Sequence, residues 1–298
     1  MNKLGKKNNV MAYLYILPLM VLSFVLVYYC IINTIAVSFT DWDGMSAEFG
    51  LVGLKNYVEM LQDPVFWTSV KNNIVFFFGT VFVQAFLGFI LAVLLKQKLP
   101  GSNVFKAVYF MPIAMATSII TAIFKIIMDP TNGTLNQFLR TINLDGLAMS
   151  WLGDPKIAMF SVILVNIFQW MGFSMITYYA GLMSLPDDVY EAAKIDGAGF
   201  WRTTFSVTFP MVKGTTNVLL ILGIVGSLKT FDLVKLLTAG GPGRTTTVMN
   251  TYLYEKAFNN FDAGGAASIG VAILIIAMIM SFLPVSYTHL TLPTTSRV

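Results

Sequence analysis

Asn166, Gln169, Trp170 and Phe173 recur at spacings of three and four, so a helix running through them carries two amides and two aromatic rings on one stripe. Amides beside rings suit sugars, whose hydroxyls hydrogen-bond while their C–H faces stack. The same stripe also serves helices that hydrogen-bond one another in lipid, and the residues alone leave both readings open. Lys229 and Asp232 form a second set. Three residues apart in an otherwise apolar run, they share one face of a helix and can pair. A charge near the centre of a membrane span costs about 2.5 to 3.5 kcal/mol on insertion scales, so each asks for a partner or for water. Snorkelling toward the membrane surface is the competing account of Lys229, and the better one for Lys125 and Lys235. A third set, Glu191, Ala192, Ala193, Asp196, Gly197 and Ala198 with Pro210 beyond, places small residues between charges, the shape of a knob that fits a groove on another protein.

Covalent chemistry has little to work with. The sole histidine, His289, lies close to the C-terminus, which excludes a His-based metal site or a His general base within the bilayer. The one cysteine, Cys30, falls in an apolar run, so no intrachain disulfide forms. There is no GxxxxGK[ST] loop to hold ATP, no HExxH helix and no paired intramembrane carboxylates. No enzymatic activity, no metal and no cofactor is expected of this chain. The net charge of +4 is accounted for by lysines at one membrane face and needs no nucleic acid partner.

The elements that must position these sets are membrane helices. Hydrophobic residues make up 56% of the chain and charged ones 11%, about half the share of a soluble domain. The mean hydropathy is +0.72. Six apolar runs are long enough to cross a hydrocarbon core of about 30 Å: 11–37, 74–95, 104–128, 157–182, 216–237 and 267–284. Each must be helical, because lipid offers the backbone no partner outside its own segment. The fold class predicted is an all-α integral membrane protein of about six transmembrane helices, with Pro18 and Pro112 as kinks and Gly223, Gly226 and Ser227 as close-packing positions.

Lys and Arg set the orientation. Lys3, Lys6 and Lys7, then Lys96, Lys98 and Lys106, then Lys194, Arg202 and Lys213 fall on one side, which the positive-inside rule makes the cytoplasm. Residues 1–10 form a cytoplasmic N-terminus, 11–285 the transmembrane domain with a cytoplasmic loop over 185–213, and an even number of spans returns the C-terminus to the cytoplasm. The outer loops 40–69, 129–156 and 239–266 are polar, with Trp42, Trp67 and Trp151 as interface anchors. Residues 286–298 resemble translated adapter sequence and read as a non-native tail.

The 185–213 loop is far longer than a connector between antiparallel helices needs. It predicts a short helix, with Pro186 ahead of it, Asp187 and Asp188 at its N-terminus and a break at Gly197, followed by a second, aromatic-rich helix through Phe200, Trp201, Phe205 and Phe209. The run Glu191-Ala192-Ala193, three residues, Gly197, nine residues, Val207, one residue, Phe209 and Pro210 resembles the cytoplasmic signature loop of permease subunits from ABC-type importers, with Val207 and Phe209 where isoleucine and leucine are usual. Tyr15-Ile16-Leu17-Pro18, Ser38-Phe39-Thr40-Asp41-Trp42, Val52-Gly53-Leu54-Lys55-Asn56-Tyr57 and Thr238-Ala239-Gly240-Gly241-Pro242 extend the likeness along nearly the whole chain. They are similar to the first permease of carbohydrate systems, the subunit related to maltose, lactose and glycerol-3-phosphate permeases.

That resemblance implies a type I ABC importer transmembrane domain in a bacterial-type inner membrane, forming half of a sugar pathway. A second homologous permease forms the other half, an ATPase dimer that binds ATP and Mg lies beneath, and an extracytoplasmic solute-binding protein docks above. It also implies that the signature loop is a coupling helix seated in the ATPase, with Glu191 making a charged contact and Gly197 setting the turn. The alternatives are the same machinery for a non-sugar solute such as glycerol phosphate or an amino acid, or a secondary transporter driven by an ion gradient.

Overall fold

The computed structural model describes residues 4–97 and 100–289. In chain order the helices are α1 (Leu4–Val37), α2 (Lys55–Gln62), α3 (Pro64–Phe77), α4 (Val83–Lys96), α5 (Ser102–Ala114), α6 (Thr117–Ile127), α7 (Thr134–Thr141) and α8 (Ala158–Met183). They continue with α9 (Asp188–Ile195), α10 (Phe200–Arg202), α11 (Phe209–Met211), α12 (Lys213–Lys229), α13 (Asp232–Leu237), α14 (Met249–Tyr254) and α15 (Ala263–His289). Among the described residues four continuous helical stretches are long and apolar enough to cross a membrane, six if each of two bent pairs counts as one span. The fold is therefore all-α, as the hydropathy requires; among the described residues the β pairing is a single bridge, Thr40 to Leu51.

The expected span boundaries survive best where the apolar run is uninterrupted. The 157–182 run becomes α8, Ala158–Met183, within one residue at each end. The 74–95 run lies within a longer helix, Pro64–Lys96, that begins ten residues earlier and continues through a π-helical turn at Phe78–Phe82. Its start is set by Pro64, which lacks only an N–H that the first helical turn leaves unpaired anyway. α1 runs through Pro18 without interruption.

Two expected spans are corrected. The 104–128 run is not one helix: α5 and α6 meet at a bend of 100°. Pro112 removes a hydrogen bond from the last turn of α5, and the chain then turns extended at Met115 (ψ 140°) and Ala116 (ψ 139°) before α6 begins. The 216–237 run is also broken. α12 stops at Lys229, Thr230 is extended (ψ 124°), and α13 starts afresh at Asp232. Hydropathy misses this break because the groups that satisfy the freed carbonyls lie far away in sequence. Asn73 donates from Nδ2 to the Ser227 carbonyl (3.0 Å), and Asn250 to the carbonyls of Leu228 (2.6 Å) and Thr230 (3.4 Å).

The chain divides into two compact units: residues up to 63 together with 253–272, and residues 64–252 with the remainder. In the first, the Ser38–Trp42 and Val52–Tyr57 motifs bind each other. Asn56 is buried and donates to the carbonyls of Ser38 (2.9 Å) and Thr40 (2.7 Å), and the Ser38 and Tyr57 hydroxyls are 2.6 Å apart. α1 itself is different: its apolar stretch, Tyr13–Val37, buries no residue within this chain.

The second unit holds the apolar cores. One gathers Phe76, Ile120, Val162, Val165 and Val234 from α3, α6, α8 and α13, and another gathers Phe89, Tyr178, Leu182 and Leu219 from α4, α8 and α12. α8 runs through the middle of this unit. Gly172 lets it approach α5, since a Cβ there would overlap the Tyr109 carbonyl. Trp151, partly buried, packs against the first core, with Nε1 donating to Asn136 Oδ1 (2.8 Å). α15 continues through His289, and the rest of the 286–298 segment lies outside the described residues, as do Lys3 and Lys98.

Candidate functional site

A cavity of about 490 Å³ opens in the second unit, walled by the α3–α4 helix, α8, α12 and the broken joint between α12 and α13. All six path candidates, Asn166, Gln169, Trp170, Phe173, Lys229 and Asp232, line it. Its volume lies within the roughly 300–1,000 Å³ range of small-molecule pockets. The rings of Trp170 and Phe173 stand edge to face at 6.4 Å. The α8 stripe hydrogen-bonds neighbouring helices and also borders the cavity. Gln84 Nε2 on α4 donates to Asn166 Oδ1 (2.9 Å), and Gln169, only 3% exposed, donates from Nε2 to Thr117 Oγ1 on α6 (3.2 Å). Each amide ties α8 to a neighbouring helix while facing the cavity wall. Trp170 is 42% exposed and offers its ring more freely.

Gln84, Thr80, Thr117, Ser174, Thr230 and Phe231 also line the cavity, and the sequence analysis marks none of them. Gln84 carries a usable signal, a lone amide in an apolar run; Thr230 and Phe231 carry none, because only the unforeseen break turns them inward.

Lys229 and Asp232 do not share a helical face as their spacing predicts. They sit on two helices, on either side of the extended Thr230, and among the described residues no ion pair joins them. The close-packing expectation also divides. A Cβ on Gly223 would meet Val81 Cγ1 at 2.6 Å, whereas one on Gly226 meets nothing within 4 Å, because Gly226 borders the cavity. Gly223 is needed for packing and Gly226 for space.

The third set folds as a helix and a tight stop. Asp187 occupies the N-cap of α9 without a side-chain capping bond, and Asp188 and Glu191 lie in the first turn, where negative charge complements the helix dipole. The C-terminus closes as a Schellman motif: Gly197 N–H donates to the Lys194 carbonyl (3.0 Å) and Ala198 N–H to the Ala193 carbonyl (2.9 Å). Gly197 adopts φ +71°, a conformation that costs an L-residue about 1–2 kcal/mol. Ala193 is buried, while Glu191, Ala192, Asp196 and Gly197 are exposed and Ile195 is 86% exposed. α9 thus presents a small-residue, charged outer face with one bare isoleucine at its end.

Beyond α9, α10 and α11 enclose a π-helical turn, Thr203–Thr208, and this stretch meets α12 at 68°, with Pro210 in the first turn of α11. Trp201 stacks on Phe205 at 5.9 Å, and Phe209 packs edge to face on Phe89 of α4 at 5.2 Å. Among the described residues no group of three or more His, Cys, Asp or Glu is placed to hold a metal. Outside the spans, Asp43 is held down at about 2 by hydrogen bonds from the Ser46 hydroxyl and the Ser46 and Met45 amides.

Residues 84–290, from α4 onward, match the family described as the binding-protein-dependent transport system inner membrane component. The chain belongs to that family. All six cavity candidates and the whole of α9 fall inside the matched region. Over 94% of this chain and 97% of the relative, it is 36% identical to a probable ABC transporter permease protein of Bacillus subtilis. It is 31% identical to the trehalose/maltose transport system permease protein of Thermococcus litoralis, over 94% of each chain. It is also 31% identical to the lactose transport system permease protein of Rhizobium radiobacter, over 95% of each. A chain of a bacterial ABC transporter involved in import of the acidic polysaccharide alginate has the same fold, with a TM-score of 0.83 over 97% of this chain and 99% of that one at 22% identity. The helical membrane fold expected from the signature loop is therefore the fold observed.

Proposed function

We propose that this chain is the first permease of an ATP-driven, binding-protein-dependent sugar importer, lining half of the translocation path and performing no covalent chemistry. The observation that carries the reading is the cavity: amides, two aromatic rings and two charged side chains meet in about 490 Å³ along the middle of α8. Sugar hydroxyls take up the Asn166, Gln169 and Gln84 amides, and the C–H face lies on Trp170 or Phe173. Lys229 and Asp232, at the broken joint, are hydrated when the cavity is open. The named substrates of the relatives, trehalose, maltose and lactose, agree in class.

One chain provides one wall, so a second homologous permease closes the path. α9 serves as the coupling helix: its small outer face enters a cleft of the ATPase dimer, which binds ATP and Mg, with Glu191 and Asp196 as the charged contacts. An extracytoplasmic solute-binding protein delivers the sugar, and both termini of the permease lie in the cytoplasm. Uptake of [14C]trehalose, [14C]maltose and [14C]lactose into vesicles holding the assembled importer tests this. At least one sugar accumulates only with ATP inside, and a proton ionophore leaves uptake unchanged. Accumulation that ignores ATP and collapses with the proton gradient would replace the importer with a secondary transporter.

A further inference from the structure

Lys96, in the last turn of α4, is placed where three elements of the second unit converge. Its ammonium sits 3.7 Å from the centroid of the Tyr190 ring on α9 and donates to the Leu182 carbonyl at the end of α8 (3.2 Å). The cation therefore lies at the negative ends of two helices, α4 and α8, and over the π face of a residue adjacent to Glu191. α4 is packed tightly along α8, since a Cβ on Gly88 would meet Ser174 Cβ at 2.7 Å. Higher on the same two helices, Gln84 and Asn166 hold one another at the cavity. On the other flank of α8, Lys106 of α5 lies 3.8 Å from the Tyr179 ring, but that contact does not reach α9. The Tyr190 hydroxyl is buried with no hydrogen-bond partner among the described residues, so the ring, not the hydroxyl, is what the contact uses.

We propose that Lys96 is the positioning residue that fixes α9 to the inner ends of α4 and α8, so that displacement of α9 moves the two helices carrying the amides of the cavity. The proposal rests on reading α9 as the coupling helix. A long flexible stem ending in a charge suits such a joint, because it tolerates a change in angle between helices while keeping the attraction, which a rigid apolar contact does not.

The test uses the whole importer with its ATPase and second permease, in a Cys30→Ser background carrying Gly226→Cys as a reporter on the cavity wall. The readout is the rate of N-ethylmaleimide labelling with and without Mg-ATP and vanadate, ATP hydrolysis showing that the complex is assembled. Labelling in the parent and in Lys96→Arg is expected to change threefold or more on nucleotide trapping. Lys96→Met and Tyr190→Leu abolish that change, Tyr190→Phe keeps it, and Lys96→Met with Tyr190→Leu is no worse than either alone. A full response in Lys96→Met while Gly197→Asp loses it would overturn the clamp and leave the coupling-helix reading standing. A full response in Gly197→Asp as well, or none in the parent, would overturn that reading and the clamp with it. If Lys96→Met does not assemble, Tyr190→Leu decides, and a full response there refutes the proposal.

Discussion

Gln169 stands at a helix contact and at the cavity wall together. Its amide bonds Thr117 on α6 and forms part of the cavity wall, so Gln169→Ala removes a hydrogen bond worth about 1 kcal/mol to the fold and, in the function proposed, a contact to the sugar. Sugar uptake by Gln169→Ala is expected to weaken several-fold or shift in preference among disaccharides, read as initial rates across a sugar panel; an unchanged profile would remove Gln169 from the path. Gly226 offers a cleaner contrast. Because a Cβ there meets nothing, Gly226→Leu should insert and assemble normally while obstructing the cavity, cutting uptake tenfold or more. Gly223→Leu, aimed at Val81, should instead lower the thermal stability of the purified protein. These roles are half legible in the sequence. Spacing alone places Asn166, Gln169, Trp170 and Phe173 on one stripe, and the cavity lies along it. The same spacing rule fails for Lys229 and Asp232, because it assumes a helix that continues.

The joint between α12 and α13 shows why it does not continue. Asn73 is 3% exposed and ties the end of α12 to the start of α14, donating to the Ser227 carbonyl and accepting from the Met249 N–H (2.8 Å). Asn73→Ala leaves the buried Met249 N–H unpaired, at about 1–3 kcal/mol, and takes one of its two bonds from the Ser227 carbonyl, which keeps the Thr230 N–H, so the midpoint of thermal unfolding in detergent should fall by several degrees. A neighbouring control, Asn72→Ala, removes one bond each to the carbonyls of Arg244 and Thr247 at a less buried site and should cost less. Equal midpoints for Asn73→Ala and the parent would show that the break is held by something else. α8 and α9 are readable because their signals are local: an unbroken apolar run in one, acids at the start and Gly197 at the stop in the other. The break after Ala114 is signalled locally by Pro112, whereas the break after Lys229 is not, since the amides that satisfy it are distant in sequence and hydropathy counts apolar residues without asking where the backbone bonds go.

At the scale of the whole molecule, the function proposed makes this chain one part of an assembly. Among the described residues none in the apolar stretch Tyr13–Val37 of α1 is buried, the cavity is bounded by helices of the second unit, and α9 ends in an isoleucine left bare to solvent. Each of these surfaces is satisfied by hydrocarbon, by a second permease or by an ATPase in the assembly proposed. The central claim is that α9 faces the cytoplasm and touches a nucleotide-hydrolysing partner. A single cysteine at Ile195, in a Cys30→Ser background, tests it most directly by cross-linking in membranes of the expressing cell. The account predicts an adduct with the ATPase subunit and no reaction with an impermeant maleimide added outside intact cells. Labelling from the exterior, or no adduct with any ATP-hydrolysing protein, would contradict it.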